Sequence, residues 1–165
     1  MTDITWTSPT AHERLTILRR TRSVAILGMS AQTSRPSHFV ATYLLSSSCN
    51  FDHVWFVNPR GGEILGRPVY PSLGELPGTP DLVDVFRRND DLPGVAEEVA
   101  AIPGVRTLWL QLGLRNDAAA QIAYSASKEV VMDRCLKIEH ARFAGGLHVA
   151  GFDTGVISSR RRRVL

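Results

Sequence analysis

The chain predicts an α/β domain, an open parallel sheet with helices on both faces. Three observations carry this. Apolar runs of three to five residues, short and uninterrupted enough for strands buried on both faces, recur five times along the 165 residues. Segments with apolar residues at helical spacing lie between them, and no period recurs that would point to a repeat array. Several runs stop at Gly, Asn-Pro or Asp, so polar residues gather at one end of the expected sheet.

Taken in order, Ser8-Pro9 supplies a hydroxyl cap and a proline for the first helical position. His12 to Arg20 then carries Leu15, Ile17 and Leu18 toward a core and ends among Arg19, Arg20 and Arg22. Val24 to Leu27 is the first strand, and it runs into Gly28. A polar loop with Ser30, Thr33, Ser34 and Arg35 follows, and Pro36 opens a helix bearing Phe39, Val40, Tyr43 and Leu44. Proline favours the first helical position and pushes the residue before it out of helical geometry. Arg35 therefore stands near the cap, with the amides of Ser37, His38 and Phe39 expected to be unpaired. Such a helix start, with an arginine beside it, favours an anion such as a phosphate. An ordinary capped βα turn would leave the same residue pattern.

Val54 to Val57 is the second strand, closed by Asn58-Pro59-Arg60-Gly61-Gly62. Glu63 to Pro77 is punctuated by Gly66, Pro68, Pro71 and Gly74 and reads as an excursion, with Val69-Tyr70 a short extended piece and Ser72 to Glu75 a helical turn. Leu82 to Phe86 is the third strand. Its Asp84 is expected either to face solvent at an edge or to be hydrogen-bonded. Asp91 to Ile102 is helical through Leu92, Val95 and Val99. Leu108 to Leu112 is the fourth strand, Asn116 caps a helix over Ala118 to Ala126, and Val130 to Met132 is the fifth strand. Right-handed crossovers make this a doubly wound, five-stranded parallel sheet with the expected order 3-2-1-4-5. Ligands in such sheets lie beyond the carboxyl ends of the strands, where the order reverses. Those ends are Gly28 to Arg35, Asn58-Pro59, Phe86-Arg87-Arg88, Gln111-Leu112-Gly113 and Asp133-Arg134-Cys135, an arginine-rich rim suited to a phosphorylated ligand.

Composition narrows the function classes. The net charge of +3 owes four charges to Arg160 to Arg163, and removing them leaves −1. A basic body for nucleic acid is thereby excluded, and the arginine run is the one hint of such a partner. Seventeen of the nineteen basic residues are arginine, which suits planar recognition of phosphate. No apolar stretch approaches the roughly 18 residues of a membrane span, and the N-terminus has no signal-peptide core. Cys49 and Cys135 are too few for a disulfide framework and show no metal-ligand spacing. A cytoplasmic protein without a metal is expected. The first loop lacks the second and third glycines of GxGxxG, and Val57-Asn58-Pro59 offers no acidic residue for a ribose. There is no GxxxxGK[ST] run either, so NAD binding and P-loop hydrolysis fall in rank.

The strand ends together resemble the CoA-binding domain family. This small Rossmann-like domain also opens the alpha subunit of succinyl-CoA synthetase, and the likeness is to the free-standing single-domain members. The stretches that carry it are Val24 to Ser30 with Arg35-Pro36-Ser37, Val57-Asn58-Pro59, Val69 to Leu73, Val85 to Arg88, Trp109 to Gly113, Val131 to Cys135, and Lys137 to His140. The resemblance implies that CoA or an acyl-CoA lies across the carboxyl end of the sheet. Gly28, Ser30 and Arg35 would hold phosphates, with Met29, Thr33 and Ser37 completing that loop. Asn58 and Pro59 would border the adenosine, Phe86 and Arg87 the nucleotide or its pyrophosphate, and Gln111 and Gly113 the pantetheine. Arg134 and Cys135 complete the rim at the last strand.

The expected division is an N-terminal helix over 1–22, the CoA-binding domain over 23–143, and an extension over 144–165 that packs on the domain or on a second copy. The leading functional expectation is CoA binding without catalysis. His12, His38, His53, His140 and His148 are scattered, and none stands in a nucleophile–base arrangement. The alternative is an enzyme acting on an acyl-CoA or nucleotide, with Asp133 and Asp84 as acid–base groups and Arg87 and Arg134 stabilising anions. A further alternative is a redox sensor in which Cys135, beside Arg134, forms a mixed disulfide with CoA.

Overall fold

The computed structural model describes residues 5–144. The extension and its arginine run lie outside the described residues. Seven strands form one sheet: β1 Ser23–Leu27, β2 His53–Val57, β3 Glu63–Ile64, β4 Arg67–Tyr70, β5 Leu82–Val85, β6 Thr107–Leu110 and β7 Glu129–Val131. Their order is β3-β4-β2-β1-β5-β6-β7, parallel throughout except for the β3–β4 pair. β1 is buried at all five positions, and β5 and β6 at all four of theirs. That burial is why these runs are mostly apolar rather than alternating, Asp84 of β5 being the charged exception.

Among the described residues five α-helices, α1 Ala11–Arg20, α2 Pro36–Leu44, α3 Leu92–Ala100, α4 Asp117–Ser125 and α5 Leu136–Ala144, cover the two faces. Alternation along β1 feeds them both. Val24 and Ile26 meet Leu15, Ile17 and Leu18 of α1, Val40 and Leu44 of α2, and Leu136 and Phe143 of α5. Ala25 and Leu27 meet Val95 and Val99 of α3 and Ala119, Ala120 and Ala123 of α4.

Several expectations need correction. α1 begins later than Ser8-Pro9 implied, because Thr10 is its N-cap. The Thr10 hydroxyl accepts from the Glu13 amide while the Glu13 carboxylate accepts from the Thr10 amide, a reciprocal capping box. Pro36 does open α2, and Asn116 does cap α4 by accepting the Ala119 amide at 2.9 Å.

The doubly wound parallel sheet holds, but its strand order is not the one expected. Leu82–Val85 pairs with β1, in register from Val24↔Leu82 to Leu27↔Val85, and does not lie outside β2. The place beside β2 belongs to Arg67–Tyr70, with Phe56 opposite Val69. Glycines and prolines had marked that segment as an excursion. It closes instead as an antiparallel hairpin, with Leu65 and Gly66 both at positive φ in the turn. Counting β4 as a strand, the order reverses between β1 and β5. Gly28 and Phe86 therefore sit at adjacent strand ends, and Gln111 is moved one strand further away.

Asp84 departs from both alternatives given for it. It is 0 % exposed, and neither carboxylate oxygen has a hydrogen-bond partner.

Candidate functional site

The reversal point opens as a cleft of about 660 Å³, within the usual size of small-molecule sites. Three connections build it: the β1–α2 loop, the loop from Asn58 through the start of the β3–β4 hairpin, and Phe86-Arg87-Arg88. Its floor is Gly28, at φ +90°. A Cβ there would stand 2.0 Å from the Phe86 carbonyl oxygen, so only glycine allows the two strand ends to approach. The Phe86 amide donates to the Leu27 carbonyl at 2.8 Å, which fixes the arginine segment against the first loop.

Among the described residues, four arginines, Arg35, Arg60, Arg87 and Arg88, line the cleft against a single acid, Glu63. Arg88 belongs to the expected rim, whereas Arg60 is an addition to it, one position beyond Pro59 in the sequence. Such a set of planar cations favours a ligand with several phosphate oxygens.

The first loop is held by its own side chains. The Ser37 hydroxyl accepts the Ser30 amide at 3.0 Å, and the Ser30 hydroxyl accepts the Gln32 amide at 3.1 Å. Arg35 donates through Nε to Gln32 Oε1 at 3.2 Å, which aims an otherwise exposed guanidinium. The three free amides expected at the start of α2 are not all free. Those of His38 and Phe39 both donate to the Arg35 carbonyl, and the amides of Gly28 and Met29 donate to the Val57 carbonyl. Positive charge at this loop is therefore that of the arginines rather than of a set of free helix amides.

Of the other expected residues, Asn58 lines the cleft but its amide group is engaged. Nδ2 donates to the Met29 carbonyl at 2.7 Å and Oδ1 accepts the Arg60 amide at 2.9 Å, so Asn58 clamps two walls together. Met29 is fully buried beneath the loop, and Thr33 and Pro59 are exposed beside the cleft without lining it. Gln111 and Gly113 lie at the end of β6, outside the cleft. Gln111 is buried and its Oε1 accepts the Leu136 amide at 3.4 Å, and Gly113 donates its amide to Asp133 Oδ1 at 2.7 Å. Arg134 directs a guanidinium nitrogen to Glu139 at 3.6 Å, while half-buried Cys135 packs at the margin of the core. Glu139 also holds Arg14 at 2.9 Å in a buried ion pair joining α1 to α5.

One cluster was not legible in the sequence. Tyr43 Oη lies 2.9 Å from His140 Nδ1, and Cys49 Sγ lies 3.7 Å from the same nitrogen. Burial raises the Cys49 thiol and lowers the His140 imidazole, and pushes Tyr43 up to about 12. Both the thiol and the imidazole are thus held toward their neutral forms, the reverse of an activated thiolate–imidazolium pair. A larger groove of about 1260 Å³ lies at the opposite edge, between the N-terminal segment, α1, α4 and β7. Its Arg20 is paired with Glu129, and the Lys128 ammonium donates to the Ile102 carbonyl at 2.6 Å. The smaller cleft is therefore the one with cations available to a ligand. No helix among the described residues is long and apolar enough to cross a membrane.

An α/β sheet with an arginine-lined cleft over a glycine at its reversal point defines a Rossmann-like protein. Comparison with known proteins makes the assignment specific. The CoA binding domain family matches residues 22–141, and the chain belongs to that family. It is 37% identical over 134 residues to the uncharacterized protein YneT of Bacillus subtilis, spanning 81% of this chain and 96% of that one. Among solved structures it is similar to cell-free ID.343 from Thermus thermophilus, at 34% identity and a TM-score of 0.74, covering 82% of this chain and 99% of that one. A hypothetical protein from Pyrococcus horikoshii OT3 is 30% identical with a TM-score of 0.74, covering 85% and 99%.

Proposed function

We propose that this chain binds CoA or an acyl-CoA without transforming it, with the phosphates of the nucleotide in the cleft above Gly28. The observation that carries the reading is the convergence of Arg35, Arg60, Arg87 and Arg88 on that cleft in a member of the CoA binding domain family. A polyphosphorylated nucleotide matches four guanidinium groups better than a singly charged metabolite does. Asn58, where a dinucleotide site would carry a ribose-binding acid, favours CoA over NAD. The two acids expected for an enzymatic alternative do not line the cleft, since Asp84 is closed off inside the sheet and Asp133 holds the Gly113 amide.

Calorimetric titration of the purified chain with CoA, NAD and ATP tests the proposal. CoA is expected to bind in preference to NAD. Arg35→Ala is expected to weaken CoA binding by about 1.5–3 kcal/mol, the range for a hydrogen bond to a charged group, without lowering the melting temperature of the free protein. Absence of CoA-specific binding at millimolar ligand would refute the reading. Undiminished CoA binding by the variant would move the anion site away from this loop.

A further inference from the structure

We infer that the preferred ligand of this site is an acyl thioester of CoA rather than the free thiol, with the acyl chain lying over Phe39, Leu112 and Ile138. The inference rests on the CoA reading above and names the substrate class within it. Among the described residues, four large apolar side chains are exposed: Phe39 at 56 %, Leu65 at 43 %, Leu112 at 61 % and Ile138 at 41 %. Leu65 occupies the turn of the β3–β4 hairpin. The other three stand on the connections that leave the carboxyl ends of β1, β6 and β7, the same end of the sheet as the arginine cleft.

Their placement follows from the fold. Phe39 is in the first turn of α2, directly after Pro36 and Ser37, which line the cleft. α2 packs against α5, whose first turn carries Ile138. Leu112 follows β6 in a connection fixed at two points. Gln111 accepts the Leu136 amide at the start of α5, and Gly113 donates to Asp133 after β7. Half-buried Phe86 and Cys135 pack against the same core, so the end of the sheet between the cleft and these residues is itself partly apolar.

At the usual strand spacing, the end of β6 lies about 10 Å from that of β1 and the end of β7 about 14 Å. In this inference the ligand, held by its phosphates over β1 and β5, runs its remaining length toward β6 and β7. Free CoA ends in a thiol and leaves the three apolar side chains in water. A thioester continues the ligand with hydrocarbon, which those side chains can cover. The step is binding alone, and no bond is made or broken.

The test is the affinity of the full chain for free CoA and for acetyl-, butyryl- and hexanoyl-CoA, measured by calorimetry. Affinity is expected to rise with chain length, by up to about fourfold for each methylene buried, and to be about tenfold tighter for hexanoyl-CoA than for CoA. Phe39→Ser and Ile138→Ser replace exposed side chains, so folding is expected to survive, and each should flatten the dependence on chain length. Equal affinity for CoA and hexanoyl-CoA would overturn the inference and leave the CoA reading standing. Failure of every one of these ligands to bind would remove both. A chain-length dependence unchanged in both variants, with sedimentation showing that they dissociate a dimer, would overturn the inference in favour of a contact between two copies of the chain.

Discussion

Replacing Asp84 should make this protein more stable, and the gain should depend on pH in a defined direction. Asp84 is the third residue of β5, in register between Ile26 and Trp109, with all three side chains at 0 % exposure. It faces the layer formed by α1, α2 and α5, since Leu82, two residues earlier on the same strand, belongs to that core. Both carboxylate oxygens lack a partner, and burial pushes the carboxyl well above its ordinary range. The native chain therefore holds this proton after the unfolded chain has released it. The stability associated with that proton is complete below the unfolded pKa of about 3.9. It is lost at about 1.4 kcal/mol per pH unit as pH rises toward the native pKa.

Asp84→Asn keeps the shape and removes the titration. Its stability relative to the parent should rise with pH from pH 5 until the native carboxyl ionises. Asp84→Val also removes the unsatisfied polar atoms, each of which costs about 1–3 kcal/mol when buried, and valine suits a central strand. A gain of about 1–3 kcal/mol is expected where the carboxyl is protonated in both states, and the titration adds to it as pH rises. Urea unfolding of the three proteins at pH 5, 6, 7 and 8 measures both effects. A pH-independent difference for Asp84→Asn, or a loss exceeding about 1 kcal/mol for Asp84→Val, would refute the reasoning. Either result would mean that the carboxylate is satisfied in solution.

Two further perturbations probe the supports of the site. Gly28→Ala forces a Cβ to within 2.0 Å of the Phe86 carbonyl at a positive φ, and should cost at least ~3 kcal/mol in urea unfolding and abolish CoA binding; a folded, binding-competent variant would contradict the close approach. Arg14→Met leaves buried Glu139 with only the more distant Arg134, and a loss of about 3 kcal/mol in the same assay is expected; an unchanged unfolding midpoint would show that the pair does not hold α1 to α5.

Local patterning was enough to determine the class of fold and the end of the sheet at which the arginine-lined cleft opens. Buried parallel strands read as unbroken apolar runs, Pro36 and Asn116 announce their helices through backbone chemistry, and polar residues at the carboxyl ends mark where a ligand goes. Gly28, Ser30, Arg35, Ser37, Asn58, Phe86 and Arg87 follow from that logic, and all line the cleft. Strand order did not follow, because it is settled by pairing between segments distant in sequence. The Arg67–Tyr70 segment takes the place beside β2 through a hairpin that its proline and glycines disguise. Leu82–Val85 is thereby left to pair with β1, and Gly28 is brought against Phe86. Side-chain partners also required the tertiary structure. Asn58 reads as a ligand contact until its amide is seen tying two loops, and Cys49 and His140, 91 residues apart, meet because α2 packs on α5. Periodicity records which face of an element is buried, whereas hydrogen bonds and ion pairs between distant residues form only once the elements have been placed.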